Sequence, residues 1–287
     1  MDAVERRLNS TRAQLETVEK ELDSWTAKTA EERQSLSTKM TLTLLDTLYS
    51  QILDEAFRDF SPNENGWEVR LSILHTFLCT AEWTSTSVVA DLLFTSDYTD
   101  VAEKLLSDLH AVLYREHGRV LAYHKSFSDF IFDQDRSGIF WCNRLMHHRL
   151  LADACFRCMK DGLRFNIASI PSSFLLDVDN PMLADALREN IHPVLEYSCR
   201  NWSYHVSAAA SIIPDGLHNS ISEFLQLRAL FWIEAMNLLR LRSVCGLMLR
   251  TVHDWVISSQ VNFLSFEYPG TDLPCDLGKL VISRTAN

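Results

Sequence analysis

Glycine and proline are scarce in this chain. Its 287 residues hold 8 glycines and 7 prolines, under half of the roughly 12% that the two contribute on average, and none precedes Pro62. So few turn-formers exclude an all-β sandwich or barrel, a collagen-like repeat and a low-complexity disordered chain. Positive charge is short as well: 27 Lys and Arg stand against 38 Asp and Glu, a formal net charge of −11. That disfavours a nucleic-acid binder that works by neutralising phosphates. Long apolar runs are missing. The greasiest stretch, Ala229 to Leu239, contains Glu234 and Asn237 and has about half the ~20 residues of a membrane span, so no membrane partner is expected. The start, Met1-Asp2-Ala3-Val4-Glu5-Arg6-Arg7, lacks the apolar core of a secretory signal. Seven scattered cysteines, an odd number, read as reduced thiols of a cytosolic chain rather than a disulfide framework. What is there is 47% apolar, enough for a core, and the fold class is mainly α.

Periodicity divides the chain. Val4, Leu8, Thr11, Leu15, Val18, Leu22 and Trp25 alternate at intervals of four and three, the spacing of a short heptad seam. Residues 1–40 therefore read as a helical arm, a candidate coiled coil with self-association through 1–25. A second helix over Thr41–Phe57 carries an apolar stripe of Leu45, Leu48, Tyr49, Ile52, Leu53 and Phe57. Helices follow over Trp67–Thr80 and Ser85–Phe94. Asp100 with Glu103 has capping-box spacing and opens another, whose buried face is Val101, Leu105, Leu109 and Val112. The period then changes: Leu113 to Tyr123 reads as two short strands around His117-Gly118. Three helices and a hairpin are the order of a winged helix, assigned to 41–138 with the preceding helix. The hairpin runs into a helix with Phe127, Phe130 and Ile131 on one face.

A helical domain is expected over 139–260. Its helices are placed near 143–160, near 182–206 with a break at Ile191–Pro193, near 217–241 and near 242–258. The third is apolar almost all round (Phe224, Leu227, Leu230, Phe231, Ile233, Met236, Leu239), which predicts burial between other helices. Residues 261–287, with Pro269-Gly270 and Pro274, read as an irregular tail.

Several of these runs occur together in one family. Leu45-Asp46-Thr47-Leu48-Tyr49, the run Val120 to Phe130, His147-His148 before Leu151-Ala152, Leu163 to Ile167, Tyr197 to His205 and Phe231 to Ala235 resemble, in order and spacing, the fungal NACHT-domain proteins. These belong to the STAND class of signalling NTPases, many with C-terminal WD repeats. The resemblance covers about residues 42–258 and concerns the winged helix and the helical domain behind the nucleotide-binding core. It departs from the family in three ways. No Gly-x-x-x-x-Gly-Lys-Ser/Thr occurs, no acidic residue sits where Mg²⁺ would need one, and no Trp-Asp repeat of ~40–45 residues is present. The resemblance implies a regulatory middle without motor or sensor. Its partner would be another protein: a NACHT-type nucleotide-binding domain, or a second copy through 1–25. A second reading is a truncated piece of such a protein without independent function, and a third is a winged-helix DNA-binding regulator.

His124 closes the hairpin, where STAND proteins carry a histidine that contacts the β-phosphate of ADP. The resemblance implies a cofactor-binding role for His124 only with a nucleotide-binding domain in trans. From the residues alone, a hairpin-end histidine bonded to backbone is the simpler reading. Cys155-x-x-Cys158, near His147 and His148, is half of a zinc pattern that Cys199 and His205 would complete. With no second tight pair, the cysteines read as small buried hydrophobes, and no metal or other cofactor is expected. No catalytic residue is expected either, because Ser126 at a strand end is badly oriented for a pair with His124 and a third acid. Asp129 reads as a capping or solvated group, and Asp133 with Arg136 as a surface ion pair. On the helix that would enter a DNA groove, Asp100, Glu103 and Asp108 face a single base, Lys104, against nucleic acid as a partner. Trp202, Tyr204, Trp232 and Trp255 are core candidates.

Overall fold

The computed structural model describes residues 41–62, 64–93, 98–171, 180–209 and 216–267, with a few isolated positions between 16 and 37. The heptad seam of 1–25 lies outside the described residues, as do most of 26–40 and all of 268–287.

The chain is mainly α. Helix α1 (41–56) leads to α2 (Asn65–Cys79), α3 (Thr86–Leu93) and α4 (Thr99–Asp108). Strands β1 (Leu113–Glu116) and β2 (Arg119–Ala122) pair antiparallel, with Leu113 opposite Ala122 and Glu116 opposite Arg119. The two-residue turn puts His117 at φ 51° and Gly118 at φ 78°, the left-handed pair that matches strand twist. Helices α5 (Lys125–Ile131) and α6 (Gln134–Ser137) and a 3-10 turn at Gly138–Phe140 complete the first half. The second half holds α7 (Arg144–Gly162), α8 (Leu183–Asn190), α9 (Pro193–Ala208), α10 (Gly216–Leu227), α11 (Ala229–Leu238), a 3-10 turn at Arg242–Val244 and α12 (Cys245–Glu267). No helix among the described residues is long and apolar enough to cross a membrane.

Two apolar cores form. The first gathers Tyr49, Leu53 and Phe57 of α1 and its end, Ile73 and Leu74 of α2, Leu105 of α4, and Phe127, Phe130 and Ile131 of α5. Phe57, Trp67 and Phe140 touch ring to ring at 4.8–5.4 Å. Such pairs add about 0.5–1.5 kcal/mol each beyond burial. The second core is built on Phe156, Trp202, Phe224 and Trp232, with centroids 4.9–5.9 Å apart. Helices α3 and α7 face both cores: Val89 and Leu151 belong to the first, Val88, Leu92 and Cys155 to the second.

Several expectations are corrected. Helix α4 starts at Thr99, so Asp100 lies inside its first turn and makes no capping box; Glu103 instead binds Thr86 and Arg115. Leu48, placed in the α1 stripe, is 48% exposed, because α1 has the core on one side only and Tyr49 and Leu53 occupy it. The helix expected over 217–241 bends at Arg228 (φ −129°). This lets the rings of Phe224 and Trp232 meet at 5.9 Å, although eight residues of straight helix rise about 12 Å. It also leaves Leu227 and Leu230 exposed. The irregular tail does not begin at 261: α12 runs on to Glu267, since no helix breaker occurs between Gly246 and Pro269. Tyr204 is exposed and Trp255 half-buried, whereas Trp202 and Trp232 are fully enclosed. Arg136 does not pair with the Asp133 carboxylate as a surface couple. Asp133 accepts the backbone N–H groups of Asp135 and Arg136 as the α6 N-cap. The Arg136 guanidinium forks onto Asp46 of α1, with Nη2 at 2.6 Å and Nε at 3.1 Å.

Candidate functional site

His124 is the N-cap of α5. Its Nδ1 accepts the Ser126 N–H at 3.1 Å, so the ring proton is on Nε2. The same Nδ1 lies 2.7 Å from Ser126 Oγ, which is 2.7 Å from the Tyr49 hydroxyl. The sequence placed Ser126 on a strand end, but it sits in the first turn of α5, where it does reach His124. The third member of this chain is a tyrosine of α1, not an acid. The triad logic of base and orienting carboxylate is therefore not met. His124 is exposed.

The zinc pattern read from the sequence comes apart in three directions. Cys155 and Cys158 both contact the Ser198 hydroxyl of α9, and burial pushes the Cys155 thiol up to about 12, which suits an inert core thiol. His148 faces His205, Nδ1 to Nδ1 at 3.0 Å, and His205 Nε2 meets the Tyr197 hydroxyl at 2.8 Å. That hydroxyl accepts the Ala81 N–H at 3.1 Å. Burial holds His148 at about 4 and His205 at about 3, so both rings are neutral at pH 7. The network links α7, α9 and the loop after α2 inside the molecule.

His147 turns the other way, toward α2. One donor atom from each of His75, Cys142 and His147 lies within 4.8 Å of the others, and all three residues are buried. The Cys142 thiol also contacts the thiol of Cys79; that hydrogen bond and burial raise its pKa. Burial holds His75 at about 4 and His147 at about 3. Local structure sets these positions. His75 and Cys79 are one turn apart on α2. Cys142 is fixed by its N–H, which binds the Ile131 carbonyl at 2.9 Å. His147 follows the α7 N-cap, Asn143, whose side chain accepts the Met146 N–H at 3.2 Å. Sequence reading singled out His147 but missed His75, Cys79 and Cys142. The available signal was two tight mixed pairs, His75-x-x-x-Cys79 and Cys142-x-x-x-x-His147, which a search for Cys-x-x-Cys overlooks.

Glu103, Lys104 and Asp108 of α4 are engaged. Arg70, itself buried, donates to Asp108 at 2.6 Å and to the Ala56 carbonyl at 2.8 Å, while Lys104 donates to Asp108 at 3.0 Å. The hydrogen bonds from Arg115 and Thr86 hold the Glu103 carboxyl below its ordinary range. Comparison with models of known protein families, with curated proteins and with solved structures finds no match.

Proposed function

We propose that the chain is a non-catalytic regulatory protein, built like the winged-helix and helical region of NACHT-type STAND proteins, that docks on a nucleotide-binding domain carried by another chain. The observation behind this reading is the seating of His124 at the end of the hairpin. Its Nδ1 is occupied by α5, which fixes the tautomer and leaves an exposed ring whose Nε2–H can donate to a phosphate oxygen. The order of elements supports the winged-helix reading. Helices α2, α3 and α4 lead into the hairpin, with α1 before them, and the Val120 N–H of β2 binds the Thr84 carbonyl, between α2 and α3, at 2.9 Å. Glu103 and Asp108 remain acidic on α4 beside one lysine, which disfavours a duplex as the partner of that face.

The test measures how fast a purified NACHT-type nucleotide-binding domain releases ADP, with and without this chain. The chain is expected to slow release; His124→Ala is expected to lose the effect. His124→Asn keeps a capping acceptor for α5 and should also lose it, so loss of the cap is separated from loss of the phosphate donor. Equal release with the native chain and both variants overturns the reading, as does tight ADP binding by this chain alone.

A further inference from the structure

Two histidines and two cysteines meet in the buried seam where α2, the segment after the 3-10 turn and α7 come together. We propose that His75, Cys79, Cys142 and His147 form a structural zinc site. The donors come as two close pairs, one a turn apart on α2 and one spanning the start of α7. Tetrahedral His/Cys zinc sites are assembled from such pairs. One donor atom each from His75, Cys142 and His147 is already within 4.8 Å of the others. In a tetrahedral site, Zn–N of about 2.0–2.1 Å and Zn–S of about 2.3 Å put ligand atoms about 3.4–3.8 Å apart. For these three donors, closure needs shifts of under about 1 Å in each side chain. Cys79 lies outside that group of three, but its thiol touches that of Cys142, so a turn of its side chain would supply the fourth ligand.

The outer hydrogen bonds leave the rings in the form a metal needs. The Phe140 carbonyl can only accept, so His75 Nε2 donates to it at 3.0 Å. Thr76 Oγ1 gives its proton to the Ser72 carbonyl at 2.8 Å, so it accepts from His147 Nε2 at 2.8 Å. Both histidines thus carry their proton on Nε2, which leaves the Nδ1 lone pair for a metal and fixes the tautomer through second-shell bonds. A cavity of about 720 Å³ with His75, Cys142 and His147 in its wall gives an ion a route to the site. Nitrogen and thiolate donors in this number select zinc over oxygen-seeking magnesium or calcium. On binding, each thiol loses its proton and both sulfurs bond the ion, so two protons are released per zinc. The ion would pin α7 to α2, fixing one of the two helices that both cores share.

The experiment uses the full chain without a polyhistidine tag, purified reduced from zinc-supplemented medium, with metal content read by mass spectrometry. About one zinc per chain is expected. Cobalt added to the metal-free chain is expected to give tetrahedral d–d bands with sulfur-to-cobalt charge transfer. Cys142→Ala and His147→Phe should each bring zinc to background, and Cys158→Ser should leave it unchanged. Removal of zinc by a chelator should lower the melting temperature, and zinc should restore it. If Cys142→Ala does not fold, the cobalt spectrum of the unaltered chain decides by its thiolate bands. A folded, reduced chain without zinc or charge transfer overturns the proposal. So does zinc that survives Cys142→Ala, and so does a Cys79–Cys142 disulfide in a chain that takes no metal after reduction.

Discussion

His148 of α7 and His205 of α9 share a 3.0 Å contact between their Nδ1 atoms, with both rings essentially out of solvent. Two rings can meet this way only if one Nδ1 is protonated and the other is not. A proton on the second Nδ1 would aim two N–H groups at each other and place a cation in the core. The pair is therefore a fixed, neutral joint between the helices that carry the second core.

Acid should weaken the fold through His205. Burial, with smaller contributions from His148 and His147, lowers its pKa to about 3, against an ordinary ~6.5 when unfolded. The unfolded chain takes up the proton first, so this contribution is complete above about pH 6.5 and declines as pH falls from there. The loss approaches ~1.4 kcal/mol per pH unit for one histidine. Denaturant unfolding between pH 7 and 5 should show it, and His205→Gln should reduce the slope by about one proton.

Trp232→Ala should cost ~3–5 kcal/mol. The ring is fully enclosed, donates Nε1–H to the Cys199 carbonyl at 3.0 Å and packs edge-on to Trp202. Tyr204→Ala, on an exposed side chain, should cost far less. Thermal melts of the two variants check the ranking.

Asp108→Ala should destabilise by ~1–3 kcal/mol. It removes the carboxylate from an almost fully buried Arg70, whose remaining hydrogen-bond partner is the Ala56 carbonyl. Asp100→Ala should fall within about 0.5 kcal/mol of the native protein, since Asp100 caps nothing. Equilibrium unfolding in urea separates the two.

Asn143→Ala should cost about 1 kcal/mol as a lost N-cap. Because this cap starts the helix that carries His147 and His148, amide exchange should quicken first in the initial turn of α7.

Much of the first half was legible in the sequence because its signals are local. Leu113 to Tyr123 changes period around a His-Gly turn, and no competing contact alters that. Phe127, Phe130 and Ile131 share a face in any helix, and all three are buried. The break at Pro193 follows from a ring that cannot donate a hydrogen bond. The bend at Arg228 has no such marker. It exists because Phe224 and Trp232 both pack on Trp202.

The sequence by itself determined the helical class, the hairpin and the identity of the large core side chains, since these depend on residue type and spacing within a few turns. Tertiary structure alone decided the polar pairings. Asp46 meets Arg136, Glu103 meets Arg115, His148 meets His205, and His75 meets Cys142 and His147. Polar groups are satisfied by whatever the fold brings close to them, and those partners lie 12 to 90 residues away along the chain.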